Sequence, residues 1–263
     1  MNLLATAVSG RGLVEPDEPV FRADDEALLR GRAVFETARV YDWSPFRLPE
    51  HVDRLRSSAA RVRLPAPDAI ECVHLAGLVV QEAGIPDVAL RLYWTGTTLA
   101  ATAAAIPDDL EERRRRGLRL AVVRWSAGTL ASAKSTSYAE NMAAQDEAAE
   151  RGADDALLVE HEGTVLEAPT ANVWWREGDR LLTPAVSLPV LAGVTRAVLL
   201  ELAPAAGYEV EEGAFPLERV LGADEVFLSS SIREVMPVCA LDGRELALGP
   251  AAHTLQQSLR SIV

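Results

Sequence analysis

Lysine is almost missing from this chain. Of 26 basic side chains in 263 residues, all but Lys134 are arginine. Arginine serves as well as lysine for surface charge. It cannot stand in where an amine must shed its proton and attack a carbonyl group, because guanidinium stays protonated in proteins. The scarcity therefore leaves one side chain on which covalent amine chemistry can be built, and Lys134 is the first candidate for it. The plainer alternative is a surface lysine with no task.

Other scarcities narrow the field. The chain has two cysteines, Cys72 and Cys239, far apart and without a CxxC pair. That pattern excludes a disulfide framework and a zinc ribbon, and reduced thiols are expected. The four histidines are scattered. Neither His51 nor His74 stands at metal-ligand spacing from another, so no metal is expected. No apolar run approaches the roughly 20 residues that span a bilayer. The opening MNLLATAVSGRGL has neither a basic stretch nor a long apolar one, and a cytoplasmic protein is expected. Positive charge is also short: the net charge is -13, which speaks against a nucleic-acid-binding surface. The one basic run, Arg113 to Arg116, follows Glu111 and Glu112 and is expected to form a solvated, self-compensating helix turn or loop. Neither GxGxxG nor GxxxxGK[ST] occurs, and no internal repeat is visible.

What is present is 49% hydrophobic and 25% charged, enough for one large domain or two small ones with cores of their own. RAVFETARVY, residues 32–41, alternates loosely and suits a strand. LPEHVDRLRSSAARVRL, residues 48–64, places Val52, Leu55, Ala59 and Val62 on one helical face. Residues 88–96 suit a strand, 105–117 a linker, and LRLAVVRW, residues 118–125, a buried strand. Residues 138–151 suit a helix with Gly152 as its cap. Hairpins are expected over 154–168, turning at 161–163, and over 172–184, turning near 177–179. Residues 194–202 suit a helix, and EVFLSSS, residues 225–231, a strand ending in hydroxyls. Gly193-Val194-Thr195-Arg196 is a glycine turn opening a helix, which presents backbone N–H groups and the positive dipole end to an anion.

Several of these segments, in this order, carry a resemblance: RGRAVFETARV at 30–40, EHVDRL at 50–55, Lys134 in AKSTSYAENMAAQDEA, Glu167 in GTVLEAPTANVWW, GVTR at 193–196, and ADEVFLSSS…VMPV at 223–238. The chain resembles the fold-type IV enzymes that use pyridoxal 5'-phosphate (PLP), a group holding branched-chain and D-amino-acid aminotransferases and 4-amino-4-deoxychorismate lyases. The resemblance implies a two-domain α/β fold: a small N-terminal α/β domain, residues 1–113, and a larger barrel-like PLP-binding domain, residues 120–263. It implies PLP in the cleft between them, and a homodimer in which a partner loop closes the pocket.

It also implies roles. Lys134 takes the family's cofactor-bearing position, Glu167 that of the carboxylate beside the pyridine nitrogen, and Tyr138 that of the tyrosine at the phenolic oxygen. Arg54 matches the phosphate arginine. Gly193, Val194, Thr195, Ser230 and Ser231 would complete the phosphate site. Each has a plainer reading: a solvated hairpin glutamate, a core tyrosine, a surface arginine, a helix cap, a turn. Tyr138 shares a face with Lys134 only if helix has begun at that point. ETARV, the CALDG after VMPV and the short length look most like the lyase, which releases pyruvate and leaves 4-aminobenzoate, a folate precursor. A class IV aminotransferase acting on a D- or branched-chain amino acid is the alternative, and an inactive ligand-binding relative a third. Two departures affect the substrate side. TTLAATAAAIP stands where relatives carry a glycine- and arginine-rich loop, and Gly31-Arg32-Ala33 replaces their acidic or hydroxyl residue between glycines. Arg32 and Arg91 are the candidate substrate cations.

Overall fold

Alternation over residues 34–41 governs the first part of the structure, a computed structural model that describes residues 2–263. Val34, Glu36, Ala38 and Val40 are buried, while Phe35, Thr37, Arg39 and Tyr41 lie half-buried on the opposite face. That is the period of a strand with its core on one side. In chain order this unit holds β1 (Leu3–Val8), β2 (Gly12–Val14), α1 (Glu26–Arg30), β3 (Val34–Tyr41), β4 (Ser44–Pro45), α2 (Leu48–Arg61), α3 (Ala69–Glu82), β5 (Val88–Trp94) and β6 (Leu99–Ala105). The strands form an antiparallel sheet in the order β2-β1-β6-β5-β3-β4.

Its core joins the buried face of β3 to Leu55 of α2, Leu75 and Val79 of α3, and Leu90 and Leu92 of β5. Each fully buried side chain of this size contributes about 1.5–3 kcal/mol. α2 starts with a proline in its first turn, where a missing N–H costs nothing. Asp68 caps α3 by accepting from the N–H groups of Ile70 and Glu71. TTLAATAAAIP is mostly β6, in register with β5 from Leu99 to Ala105. Thr95 closes the short turn before it, its Oγ1 accepting from the N–H groups of Thr97 and Thr98.

The unit comprises residues 1–107 together with 133–138. The later segment joins through backbone bonds. Phe35 N–H donates to the Lys134 carbonyl (3.0 Å), and Thr136 N–H to that of Ala33 (2.9 Å).

The second unit comprises residues 108–132 and 139–263. It holds α4 (Leu110–Arg116), β7 (Leu118–Trp125), α5 (Ala139–Glu150), β8 (Asp155–Glu160), β9 (Asn172–Glu177), β10 (Arg180–Pro184), α6 (Val194–Leu202), β11 (Glu209–Gly213), α7 (Leu217–Leu221), β12 (Glu225–Ser230), β13 (Glu234–Leu241), β14 (Arg244–Glu245) and α8 (Pro250–Arg260). One mixed sheet runs β11-β10-β9-β12-β13-β7-β8, with β14 beside β13. β7 and β8 are parallel, with α5 as the crossover. Ala144 and Ala148 of α5 pack on Ala121, Val123, Ala156 and Leu158. β7 is buried on both faces, hence its nearly unbroken apolar run. Trp174 of β9 and Phe227 of β12 stack at 6.0 Å in a core shared with α6 and α8.

Three local expectations are corrected here. The expected linker contains the helix α4. Its arginines are not merely solvated: Arg114 is 11% exposed and pairs with Glu234, which is fully buried. The segment 154–168 turns at 161–163, but its return arm is held by single bridges and bonds, such as Val159 to Val165, and forms no second strand. Helix α5 starts at Ala139, one residue after Tyr138. Among the described residues, no helix is long and apolar enough to cross a membrane, and no group of three potential metal ligands occurs.

Candidate active site

In the first unit, one aromatic ring organises the lysine. Lys134 is half-buried, and its Nζ lies 4.6 Å from the centre of the Phe35 ring. Tyr138 meets the same ring edge-on at 5.6 Å. The two are not a helical pair, since the helix begins after both; Phe35 and the bonds of residues 134–136 to 33–35 bring them together. The Lys134 N–H donates to Ser58 Oγ of α2 (3.1 Å), which ties the segment to a second element.

Beneath β3 lies a buried charge. Glu36 occupies a core position, 2% exposed. Its carboxylate accepts from Arg54 Nε and Nη2, both at 2.7 Å, and lies 2.8 Å from His51 Nδ1. Burial by itself would raise the acid's pKa, but the Arg54 guanidinium and the His51 ring outweigh it and hold the group at about 2. Arg54, 13% exposed, is thus fixed in direction by an acid that stays ionised.

The two candidate substrate cations part company. Arg32 donates from Nε to the Val62 carbonyl (3.1 Å), from Nη1 to Glu26 (2.9 Å) and from Nη2 to the Arg63 carbonyl (2.8 Å). It therefore clamps the end of α2 to α1, with three of its five N–H donors serving the fold. Arg91 of β5 stands opposite Thr37 on one side and Thr102 on the other, and Thr102 stands opposite Thr6. The Nε of Arg91 and the hydroxyl of Thr6 are buried and meet no partner among the described residues. A buried donor left that way costs about 1–3 kcal/mol, so the row of threonines and arginine is suited to an acceptor.

In the second unit, Glu167 sits on the return arm, its carbonyl accepting from Leu158 N–H (2.8 Å). Its carboxylate accepts from Asn172 Nδ2 (3.0 Å) and, at both oxygens, from Leu191 N–H (3.1 Å). Asn172 also donates to the Leu191 carbonyl (2.9 Å). A Cβ at Gly193 would collide with Asn172 Oδ1, so any other residue there must push the Asn172 side chain aside. The carboxylate and the glycine turn are bolted together through Asn172.

Gly193 begins α6 without a side-chain cap, which leaves the first-turn N–H groups for another acceptor. Thr195, in that turn, is 6% exposed. Arg196 points elsewhere, donating to the Pro184 carbonyl (2.9 Å) and to Glu212 (2.5 Å). Of the hydroxyls ending β12, Ser229 is taken by Trp174 Nε1 (2.9 Å). Ser230 and Ser231 are half-buried where β12 turns.

Sequence reasoning overlooked Glu36, His51 and Asn172. The signal for Glu36 was there: even the loose alternation sets it in one row with Val34, Ala38 and Val40, and a charge in a core row demands a partner.

The family described as amino-transferase class IV matches residues 33–241. The chain belongs to the class IV aminotransferase family. Among its relatives, a bifunctional aminodeoxychorismate lyase / D-amino acid transaminase from Mycobacterium tuberculosis is 31% identical over 93% of this chain and 94% of its own. A solved hypothetical aminotransferase from M. tuberculosis, in a PLP-bound form, shares 30% identity and superposes with a TM-score of 0.91 over 98% of both chains. A branched-chain aminotransferase from Thermoproteus uzoniensis, solved with norvaline, shares 27% identity with a TM-score of 0.90, covering 99% of this chain and 95% of its own.

Proposed function

We propose that this class IV enzyme uses PLP to release pyruvate from 4-amino-4-deoxychorismate, leaving 4-aminobenzoate. The cofactor assignment is carried by Lys134, the chain's sole lysine, held beside Phe35 and Tyr138. The donor set fits the cofactor's chemistry: one amine, one carboxylate steadied by amide donors, and a helix start without a side-chain cap behind a closely packed glycine.

PLP, when bound, supplies an aldehyde for an amine and a ring that draws electrons from the substrate α-carbon. Lys134 holds that aldehyde. With substrate present, its free amine would move the proton at the α-carbon. Glu167 favours a protonated ring nitrogen, as a neighbouring carboxylate does for any basic nitrogen. On the family resemblance, Tyr138 would donate to the phenolic oxygen. On the same resemblance, Arg54, Thr195, Ser230, Ser231 and the N–H groups opened by Gly193 and Val194 would hold the phosphate. Arg91 offers its unmet Nε to a substrate carboxylate.

Lyase and aminotransferase share the first proton transfer. In the lyase, loss of that proton and departure of the pyruvate arm make the ring aromatic. In an aminotransferase, Lys134 would instead hand the same proton on to a second carbon, and water would release a keto acid. The similarity to the M. tuberculosis relative supports the lyase, and that relative's second name favours a D-amino acid transaminase as the next reading. The similarity to the T. uzoniensis enzyme supports a branched-chain substrate.

Two assays on one preparation separate these readings. One follows 4-aminobenzoate from 4-amino-4-deoxychorismate; the other follows amino transfer from D-alanine and from L-valine to a keto acid. Turnover in the first alone supports the lyase, and turnover only in the second overturns it. On the family resemblance we also propose a homodimer, which light scattering of the eluting protein tests directly; a monomer would refute it.

A further inference from the structure

The basic run of α4 has no place in the site described above, yet one of its members reaches the turn that carries Ser230 and Ser231. We infer that Arg114 is a positioning residue that fixes the hydroxyl turn after β12 for an anion. This rests on the reading that Ser230 and Ser231 help hold the cofactor phosphate.

The turn joins β12 to β13 through residues 231–233, with Ser230 paired to Glu234 across it. Such short hairpin loops usually end on a left-handed residue, most often glycine. Here that residue is Glu234, at φ +56°, a conformation disfavoured for a residue with a Cβ. Its fully buried carboxylate supplies the reason. It accepts from Arg114 Nη2 (2.9 Å), Gln256 Nε2 (2.5 Å) and Arg260 Nη2 (2.9 Å).

Arg114 does more than neutralise that acid. Its Nη2 also donates to the Arg233 carbonyl (2.9 Å) and its Nε to the Val235 carbonyl (3.1 Å). One planar guanidinium thus fixes the backbone on both sides of Glu234. The Arg233 side chain is held separately by buried Asp155 (2.5 Å). Arg233 N–H in turn donates to Ser230 Oγ (3.4 Å). The chain of contacts runs from α4 to the serine hydroxyl without a break. A hydroxyl binds an anion well only when its direction is settled beforehand.

The test compares two probes on the apoprotein: PLP, and pyridoxal, which has the same ring and aldehyde but no phosphate. Arg114→Gln should lower the affinity for PLP about tenfold, the scale of one lost polar contact, while affinity for pyridoxal stays within about twofold. Because this variant leaves a buried acid with fewer partners, the double variant Arg114→Gln with Glu234→Gln removes both charges together and keeps the experiment open if the single one does not fold. Its preference for PLP over pyridoxal should fall likewise.

Wild-type preference in a folded Arg114 variant, with Ser231→Ala lowering it, overturns the inference alone. An equal loss for both probes also overturns it, by showing general loosening. If Ser231→Ala and Ser230→Ala both leave the preference intact, the phosphate reading of the turn fails first and the positioning role goes with it.

Discussion

Glu36 is the residue at which sequence pattern and chemistry diverge. A core position on β3 carries a carboxylate that keeps its charge because Arg54 and His51 meet it. Its pKa, about 2 in the folded protein against an ordinary 4.5, makes this a statement about stability. A carboxyl with a depressed folded pKa stabilises fully above its unfolded value, and that contribution is lost as pH falls through the folded one. Melting followed from pH 6 to pH 2 should therefore show a loss concentrated below about pH 4.5 that Glu36→Gln lacks. At neutral pH the variant should be less stable by about 3–5 kcal/mol, the cost of breaking a buried pair; parallel pH profiles would remove Glu36 from the account. Glu167 makes a different prediction, because amide donors steady it. Glu167→Gln should retain PLP in an equilibrium titration while kcat falls roughly 10²-fold, the scale for a lost electrostatic partner. An unchanged kcat would place the carboxylate away from the ring.

At the level of elements, Gly193 is a position where packing rather than backbone geometry favours glycine. Its φ is -68°, open to any residue, yet a Cβ there would collide with the Asn172 amide oxygen. Gly193→Ala should displace Asn172, loosen its bond to Glu167, and reduce both PLP affinity and kcat, whereas an exposed Gly128→Ala should do neither. Paired titration and turnover measurements check this, and a Gly193→Ala enzyme with wild-type values would dissolve the link between turn and carboxylate. Regular elements such as β7, α6 and the β9–β10 hairpin were legible because their periodicity or turn residues are local. The limits of α5 and the status of Tyr138 were not, since residues 133–138 take their shape from bonds to residues 31–35 far back in the chain. The helix in the expected linker was hidden by its charge. Arg114 reads as solvated until Glu234, distant in sequence, is seen to be its partner. The surroundings of Arg32 were hidden for the same reason: nothing near it in sequence signals that carbonyls at 62 and 63 engage two of its donors.

Taken as a whole molecule, the chain has one lysine on which the proposed covalent chemistry can rest. Residues 108–132 belong to the second unit, 133–138 to the first, and 139–263 to the second again, so Lys134 is carried on a short excursion anchored to α2 and β3. Arginine everywhere else leaves no side-chain amine to substitute for it. This permits a direct measurement on the intact enzyme. The protein is incubated with PLP, reduced with borohydride, digested and mapped by mass spectrometry, with Lys134→Ala treated in parallel. The expected result is a single phosphopyridoxyl group on the peptide containing Lys134, absent from the variant, whose turnover falls by several orders of magnitude. An unmodified Lys134 peptide in an active, PLP-saturated enzyme, or a Lys134→Ala protein that keeps its turnover, would contradict the assignment on which the proposed function stands.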